Sequence, residues 1–123
     1  MATLQELGRQ SNTNARNKGF YEEIDRLMAH PHLNPEDKAF IRYLWRANRL
    51  MLITSELAEA LEGLRHSNLS TLPGSGGFGE ELADAQIRLA DFAADDNIDL
   101  DSAVSMKMAH NANRPRKHGG KVA

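Results

Sequence analysis

The sequence predicts an all-α protein, a bundle of four to five helices that is completed by association with further copies of the chain. Apolar residues recur at helical spacing in successive segments, and none of these segments shows the alternation of apolar and polar residues that is typical of strands. The longest segment, from Pro35 to about His66, contains no helix breaker except Gly63 near its end. It is apolar around most of its circumference, which predicts burial against several neighbours, including another subunit.

Composition favours one globular domain that spans residues 1–123. The chain has a formal net charge of −2 and no cysteine, so disulfides and thiolate metal sites are excluded. No apolar run approaches the roughly 20 residues that span a bilayer, and the N-terminus lacks the apolar core of a signal peptide. We therefore expect a cytoplasmic protein with no membrane partner.

The first half of the chain predicts three helices. Residues 3–17 are polar and contain Gly8, so the helix there is expected to be marginal. Residues 20–28 form a short amphipathic segment that ends before a proline. Asn34 followed by Pro35 is a helix-start signal, because asparagine caps the exposed N–H groups and proline fits the first turn.

The second half predicts a flexible loop and two further helices. Residues 67–79 are rich in glycine and serine, which favours a hinge or lid. They do not form a standard phosphate-binding loop, since no strand precedes them and no Gly-Lys-Ser/Thr follows. A helix is expected over about residues 78–96, and Asp99 or Asp101 is expected to cap a last one that runs to about Asn111.

Two short acidic signatures are the most informative motifs, Glu56-Leu-Ala-Glu59 and Glu81-Leu-Ala-Asp84. The carboxylates of each signature lie three residues apart, so on a helix they project from one side. Two such helices packed side by side would bring four carboxylates together, and their repulsion favours a bound cation. Mg²⁺ takes oxygen ligands and usually keeps substrate phosphates in its shell. The motifs therefore predict a Mg²⁺-dependent enzyme that acts on a phosphate-bearing substrate, with Mn²⁺ as a substitute ion.

The neighbours of the first signature favour a partly buried site. Acidic pairs at this spacing are common on exposed helices, and either signature alone would more often be a solvated face. Three large apolar residues nevertheless share the side of the long helix that carries the two glutamates: Ile41, Trp45 and Leu52. A solvated face does not normally carry such residues, so the glutamates are expected at the mouth of an apolar cleft.

The signatures resemble the hallmark of the MazG-like, all-α nucleoside triphosphate pyrophosphohydrolases, which is Glu-x-x-Glu, a spacer, then Glu-x-x-Asp. The spacer has the usual length for that family. Residues 107–121, Lys-Met-Ala-His-Asn-Ala-Asn-Arg-Pro-Arg-Lys-His-Gly-Gly-Lys, are similar to the C-terminal phosphate-binding segment of its short, single-domain members. Residues 18–21, Lys-Gly-Phe-Tyr, resemble its N-terminal element, so the resemblance covers nearly the whole chain.

The resemblance implies a MazG-like fold and hydrolysis of a nucleoside or deoxynucleoside triphosphate between its α and β phosphates. The products are a monophosphate and pyrophosphate, and the role is control of the nucleotide pool or removal of unwanted nucleotides. By the family pattern, the Mg²⁺ ligands are Glu56, Glu59, Glu81 and Asp84. We select Glu59 as the general base for the attacking water. A homodimer or homotetramer is expected.

Basic residues near the C-terminus are the main candidates for binding the phosphates. The candidates are Lys107, Asn111, Arg114, Lys117 and Lys121. The spacing of the first three places them on one side of the last helix, where they suit the β and γ phosphates. The last two lie in the basic tail, residues 116–123, which is expected to be mobile without a ligand and to close over the polyphosphate.

Lys18 and Trp45 complete the set of candidate substrate-binding residues. Lys18 is a candidate phosphate ligand, and Trp45 a candidate platform on which the base stacks. Each also has a plain structural interpretation, as an exposed lysine and a core tryptophan.

Two other classes of function stay open at this point. In a non-catalytic helical interaction protein, the acidic pairs would be merely solvated. In a small nucleic-acid-binding protein, the basic tail would contact the backbone phosphates. The net negative charge of the chain makes a nucleic-acid partner the less favoured of these interpretations.

Overall fold

The computed structural model describes residues 2–116 and confirms the all-α prediction. The described part contains five helices and no strand: α1 (Leu4–Asn17), α2 (Glu22–Met28), α3 (Pro35–Arg65), α4 (Phe78–Asp95) and α5 (Leu100–Ala112). Within residues 2–116, none of the helices combines the length and the apolar character that crossing a bilayer requires.

Helix α4 lies at the centre of the bundle, because it packs along both α1 and α3. Helix α2 contacts α3, and α5 contacts α1, over much shorter stretches. Small residues dominate the buried apolar positions, with Ala60 on α3 and Ala85, Ala90 and Ala93 on α4. The two helices that carry the acidic signatures therefore run side by side at close range.

Helix α1 is fully formed, so the expectation of a marginal helix was wrong. Thr3 and Glu6 form a capping box, in which the Thr3 hydroxyl accepts the Glu6 N–H and the Glu6 carboxylate accepts the Thr3 N–H. Gly8 is buried, and a Cβ at this position would lie 2.6 Å from the carbonyl oxygen of Ala90. The glycine that weakens the isolated helix is thus the residue that lets α1 approach α4.

Gly8→Ala is expected to destabilise the protein by about 1–3 kcal/mol, because the added methyl group meets backbone that cannot move aside. On an exposed helix the same change is stabilising by roughly 0.5–1 kcal/mol, so the sign of the effect tests the contact. Urea denaturation measures the free energy of unfolding. Thr13→Ala, at an exposed position of α1, is the control and should shift it by less than about 0.5 kcal/mol. An unchanged or raised value for Gly8→Ala would contradict the packing described.

Helix α3 has an inner face and an outer face. The inner face is buried or half-buried and consists of Trp45, Arg49, Leu52, Glu56, Ala60 and Gly63. The outer face consists of Phe40, Leu44, Leu50, Leu57, Leu61 and Leu64, whose exposed fractions lie between 49% and 61%. Burial against neighbouring helices was predicted for most of the circumference of α3, and the structure shows it for the inner face alone. The outer face has no cover from the described part of its own chain.

The caps of α3 and α5 are those that the sequence predicts. The Asn34 side chain accepts the backbone N–H of Asp37, and the Asp99 carboxylate accepts that of Ser102. Helix α5 ends at Ala112, so Arg114 lies beyond the helix and does not share one of its sides with Lys107 and Asn111, as the spacing suggested.

The start of α5 is fastened to the start of α1. The carboxylate of Asp101 accepts the backbone N–H groups of Leu4 and Gln5, each at 2.9 Å. These N–H groups belong to the first turn of α1, where no carbonyl of the same helix is available to them. Most of α5 beyond this point is exposed.

Candidate metal centre and adjoining cleft

Helices α3 and α4 bring three predicted ligands together. One carboxylate oxygen each from Glu56, Glu81 and Asp84 lies within 4.8 Å of the other two, and we call this group the carboxylate triad. Glu56 and Glu81 are buried, with exposed fractions of 8% and 7%, whereas Asp84 is more exposed. The triad therefore has a closed inner side and an open side through which a ligand can enter.

Glu81 has a raised pKa and a buried carboxylate oxygen without a hydrogen-bond partner in the described part of the chain. Its Oε2 atom is buried and has no hydrogen-bond partner among the described residues, which is a costly arrangement that a bound cation would relieve. Burial raises the pKa of Glu81 to about 7, with further contributions from Glu56, Glu59 and Asp84. The ordinary value is 4.5.

A raised pKa at Glu81 makes the stability of the metal-free protein depend on pH. The folded state holds the proton more tightly than the unfolded chain, so this stabilisation is complete below the ordinary pKa of 4.5 and is lost as the pH rises through about 7. In EDTA, Glu81→Gln should therefore gain stability relative to the wild type between about pH 5 and pH 8. Thermal denaturation at several pH values measures the difference. A difference that stays constant with pH would contradict the assignment.

Glu59 borders the triad without belonging to it. Its side chain is exposed, and its carboxylate is close enough to Glu81 to help raise the pKa of that group. The structure thus brings together three of the four predicted metal ligands and places the fourth beside them. The role of Glu59 as general base stays a prediction.

A cleft of about 650 Å³ adjoins the triad between α1, α3 and α4. Three carboxylates line it, from Glu56, Asp84 and Asp91. The other lining residues are apolar, amide or hydroxyl, and cationic: Leu7, Ala15, Phe20 and Ile87; Gln10, Ser11 and Asn14; Arg49 and Arg88. The volume falls within the range of roughly 300–1,000 Å³ that is usual for small-molecule sites. A cleft lies beside Glu56, but it is only partly apolar. Glu59 does not line it, and neither do the apolar residues from which it was predicted, Ile41, Trp45 and Leu52.

Arg49 supplies the cleft with a positive charge that has no carboxylate partner within residues 2–116. Its guanidinium carbon lies 4.0 Å from the ring centre of Trp45 and 4.7 Å from that of Tyr21. One terminal nitrogen donates to the carbonyl oxygen of Phe20 at 3.0 Å, and the buried Nε atom has no hydrogen-bond partner among the described residues. No ion pair between residues 2 and 116 includes Arg49. Such a preorganised guanidinium can bind an anion in the cleft.

Arg88 provides the second cation of the cleft and contacts the triad directly. Its Nε atom donates to Oε1 of Glu56 at 2.7 Å. Arg88 follows Asp84 by one helical turn on α4, so both side chains face the same cleft.

Asp91 holds Tyr21 in place, and Tyr21 and Trp45 are the two rings against which the Arg49 guanidinium packs. The buried Asp91 carboxylate accepts the Tyr21 hydroxyl at 2.9 Å and the Asn12 amide at 2.8 Å. Burial and this hydrogen bond raise the pKa of Tyr21, so the hydroxyl keeps its proton and remains a donor. The Tyr21 ring lies 5.6 Å from that of Trp45. This arrangement joins α1, α3 and α4 and fixes the position of Arg49.

None of the predicted substrate-binding residues within residues 2–116 lines the cleft. Lys18 is exposed at the C-terminal end of α1, and Trp45 lies behind Arg49. Lys107, Asn111 and Arg114 are exposed in and just beyond α5, away from the cleft. Lys117 and Lys121 lie outside the described residues. The binding roles of all seven residues stay predictions.

The sequence did contain a signal for the two arginines that were missed. Arg49 precedes Glu56 by two helical turns, and Arg88 follows Asp84 by one, so each shares a side of its helix with a triad residue. Arg88 can be placed on the polar side of its helix from the sequence, but an arginine there is no more informative than any surface charge.

Comparison of the chain with protein-family models, with curated proteins and with solved structures found no match. Functional inference therefore depends on the geometry of the site and on the motifs of the chain itself.

Proposed function

We propose that this chain is a Mg²⁺-dependent nucleoside triphosphate pyrophosphohydrolase that cleaves between the α and β phosphates. One observation carries the proposal: a buried carboxylate triad adjoins a nucleotide-sized cleft that two arginines line. Acidic residues alone would exclude a polyanion, and arginines alone would not require a metal. The choice of the α–β bond and the MazG-like fold rest on the resemblance of the two acidic signatures to that family.

The residues of the triad fit a hard divalent cation. All the donors are carboxylate oxygens, which suit Mg²⁺ and Mn²⁺, and Glu81 has a buried oxygen with no hydrogen-bond partner within residues 2–116. Glu56, Glu81 and Asp84 would hold the ion, with Glu59 as the neighbouring fourth carboxylate. A bound ion would neutralise phosphate charge and lower the pKa of a bound water.

The protein's own side chains would orient the substrate and accept the proton. Arg49 offers two or more N–H groups to non-bridging phosphate oxygens and loses little freedom on binding, because two rings already hold it. Phe20, on the cleft and 62% exposed, offers an apolar surface to the base or sugar. Glu59 would take the proton of the attacking water, and its exposure lets that proton pass on to solvent.

The outer face of α3 supports assembly into a homodimer or homotetramer. Apolar residues at six positions of one helix form the kind of continuous exposed surface that usually marks a protein interface. Light scattering coupled to size exclusion would measure the mass, and a monomer at micromolar concentration would oppose this part of the proposal.

A panel of canonical and modified nucleoside triphosphates with Mg²⁺ tests the proposed reaction. Monophosphate and pyrophosphate are the expected products, resolved by anion-exchange chromatography. Diphosphate and orthophosphate would exclude cleavage at the α–β bond. Mn²⁺ should sustain the reaction, and EDTA should stop it.

A non-catalytic helical interaction protein is the second candidate, because the outer face of α3 would also suit a helical partner. Isothermal titration separates the two functions. An interaction protein should show no Mg²⁺-assisted binding of nucleotide, and Glu59→Gln should leave it unaffected.

A further inference from the structure

Arg88 and a metal ion would compete for the carboxylate of Glu56. The Nε atom of Arg88 lies 2.7 Å from Oε1 of Glu56, whose side chain is only 10% exposed. Glu56 contributes one of the three oxygens of the triad, and its buried side chain has little room to serve two cations at once. A divalent ion next to a guanidinium would also repel it. The pair seen here therefore belongs to the free protein.

Little holds Arg88 in this position. The side chain is 42% exposed, and Glu56 is its one carboxylate partner within residues 2–116. Ion pairs with one solvated member contribute little net free energy, so a divalent ion with three carboxylate ligands should displace the guanidinium. A displaced Arg88 stays at the wall of the cleft, because its helix position does not change.

We propose that Arg88 occupies part of the metal site in the free protein, that a divalent ion displaces it from Glu56, and that the released guanidinium then binds a phosphate group of the substrate. The inference rests on the proposed function and adds a role for Arg88, which bonds Glu56 in the free protein and a substrate phosphate after the ion has bound. Arg49 has no carboxylate partner within residues 2–116, so it is available to an anion from the start. Arg88 becomes available only after the ion has entered.

An order of binding follows from this exchange. In the free protein Arg88 opposes the metal, and in the loaded protein it favours the polyphosphate. Metal and polyphosphate should therefore bind with positive coupling, and each should tighten the other by the same factor. Removing the guanidinium should tighten the metal and weaken the polyphosphate, whereas damage to the fold would weaken both.

The test measures Mn²⁺ alone and then inorganic tripolyphosphate at saturating Mn²⁺, both by calorimetry on the full chain. For Arg88→Met, Mn²⁺ should bind about twofold to fivefold more tightly than in the wild type, which is the scale of a half-exposed ion pair. Tripolyphosphate should bind about tenfold more weakly or worse, as expected for the loss of a charged hydrogen bond.

Two matched variants separate the exchange from other effects. Arg46→Met breaks an equivalent Nε–carboxylate bond, to Asp96 at 2.9 Å, outside the cleft, and should change neither affinity. Arg49→Met removes a positive charge from the same cleft without breaking a carboxylate bond, so its Mn²⁺ affinity reports charge alone. Should Arg88→Met fail to fold, Arg88→Gln decides the question, because glutamine keeps a polar side chain at the cleft wall but has no positive charge to pair with Glu56.

The inference is overturned if Arg88→Met binds Mn²⁺ no more tightly than the wild type or than Arg49→Met. It is also overturned if tripolyphosphate affinity is unchanged. Either result, beside wild-type Mn²⁺ binding and triphosphate hydrolysis, leaves the proposed function standing. A folded wild type that binds no Mn²⁺ would instead remove both.

Discussion

Glu81→Gln should abolish tight binding of divalent ions and lower the turnover of nucleoside triphosphates by about 10²–10³-fold, since metal assistance supplies several kcal/mol. Glu81 is one of the two buried ligands of the triad, and one of its oxygens has no hydrogen-bond partner within residues 2–116. Glutamine keeps the shape of the side chain but removes the negative charge, so the substitution separates the metal site from the packing around it. Calorimetry with Mn²⁺ and a product assay give the two readouts.

The control for this substitution is Glu62→Gln, which makes the same chemical change on an exposed glutamate of α3. Glu62 bonds Arg65 at 3.1 Å on the helix surface and lies outside the triad. It should retain wild-type metal affinity and turnover. Equal activity of Glu81→Gln and Glu62→Gln would mean that the triad has no part in the reaction.

Arg49→Met should raise the KM for the triphosphate by about 10–100-fold, because a hydrogen bond between charged groups contributes about 1.5–3 kcal/mol. Thermal stability should fall as well, since the guanidinium packs on the rings of Tyr21 and Trp45. Arg49→Lys keeps the charge but not the flat, forked donor group, and should recover only part of the affinity.

Arg46→Met is the matched control for Arg49→Met, because Arg46 lies on the same helix outside the cleft. Steady-state kinetics should show no change in its KM. An unchanged KM in a folded Arg49→Met variant would exclude Arg49 from the phosphate site, whatever the stability measurement shows.

The helices and the centre of the site were predictable because both depend on local patterns. Asn34 and Asp99 mark the starts of their helices through cap chemistry, and the long helix from Pro35 has no breaker before Gly63. The spacing within each acidic signature fixes a side of a helix, and large apolar residues beside Glu56 indicate that this side is the inner one. Three of the four proposed ligands accordingly meet in the structure.

Features that depend on contacts between residues far apart in the chain could not be predicted from the sequence. Gly8 weakens an isolated helix, and nothing local shows that Ala90 requires a residue without a side chain opposite it. Arg49 matters because two aromatic residues from different elements meet around it. The phosphate-binding role of residues 107–121 stays a prediction for a related reason. Helical spacing fixes a side of α5 but not what that side faces.

The two hydrogen bonds between Asp101 and the first turn of α1 allow hydrogen exchange at two amides to report the detachment of α5. The Leu4 and Gln5 protons are protected by a side chain nearly a hundred residues away in the chain, rather than by their own helix. Each time α5 lifts from the bundle, both protons become open to deuterium together. Their exchange rates, followed by NMR with and without nucleotide, should thus record how often the last helix detaches.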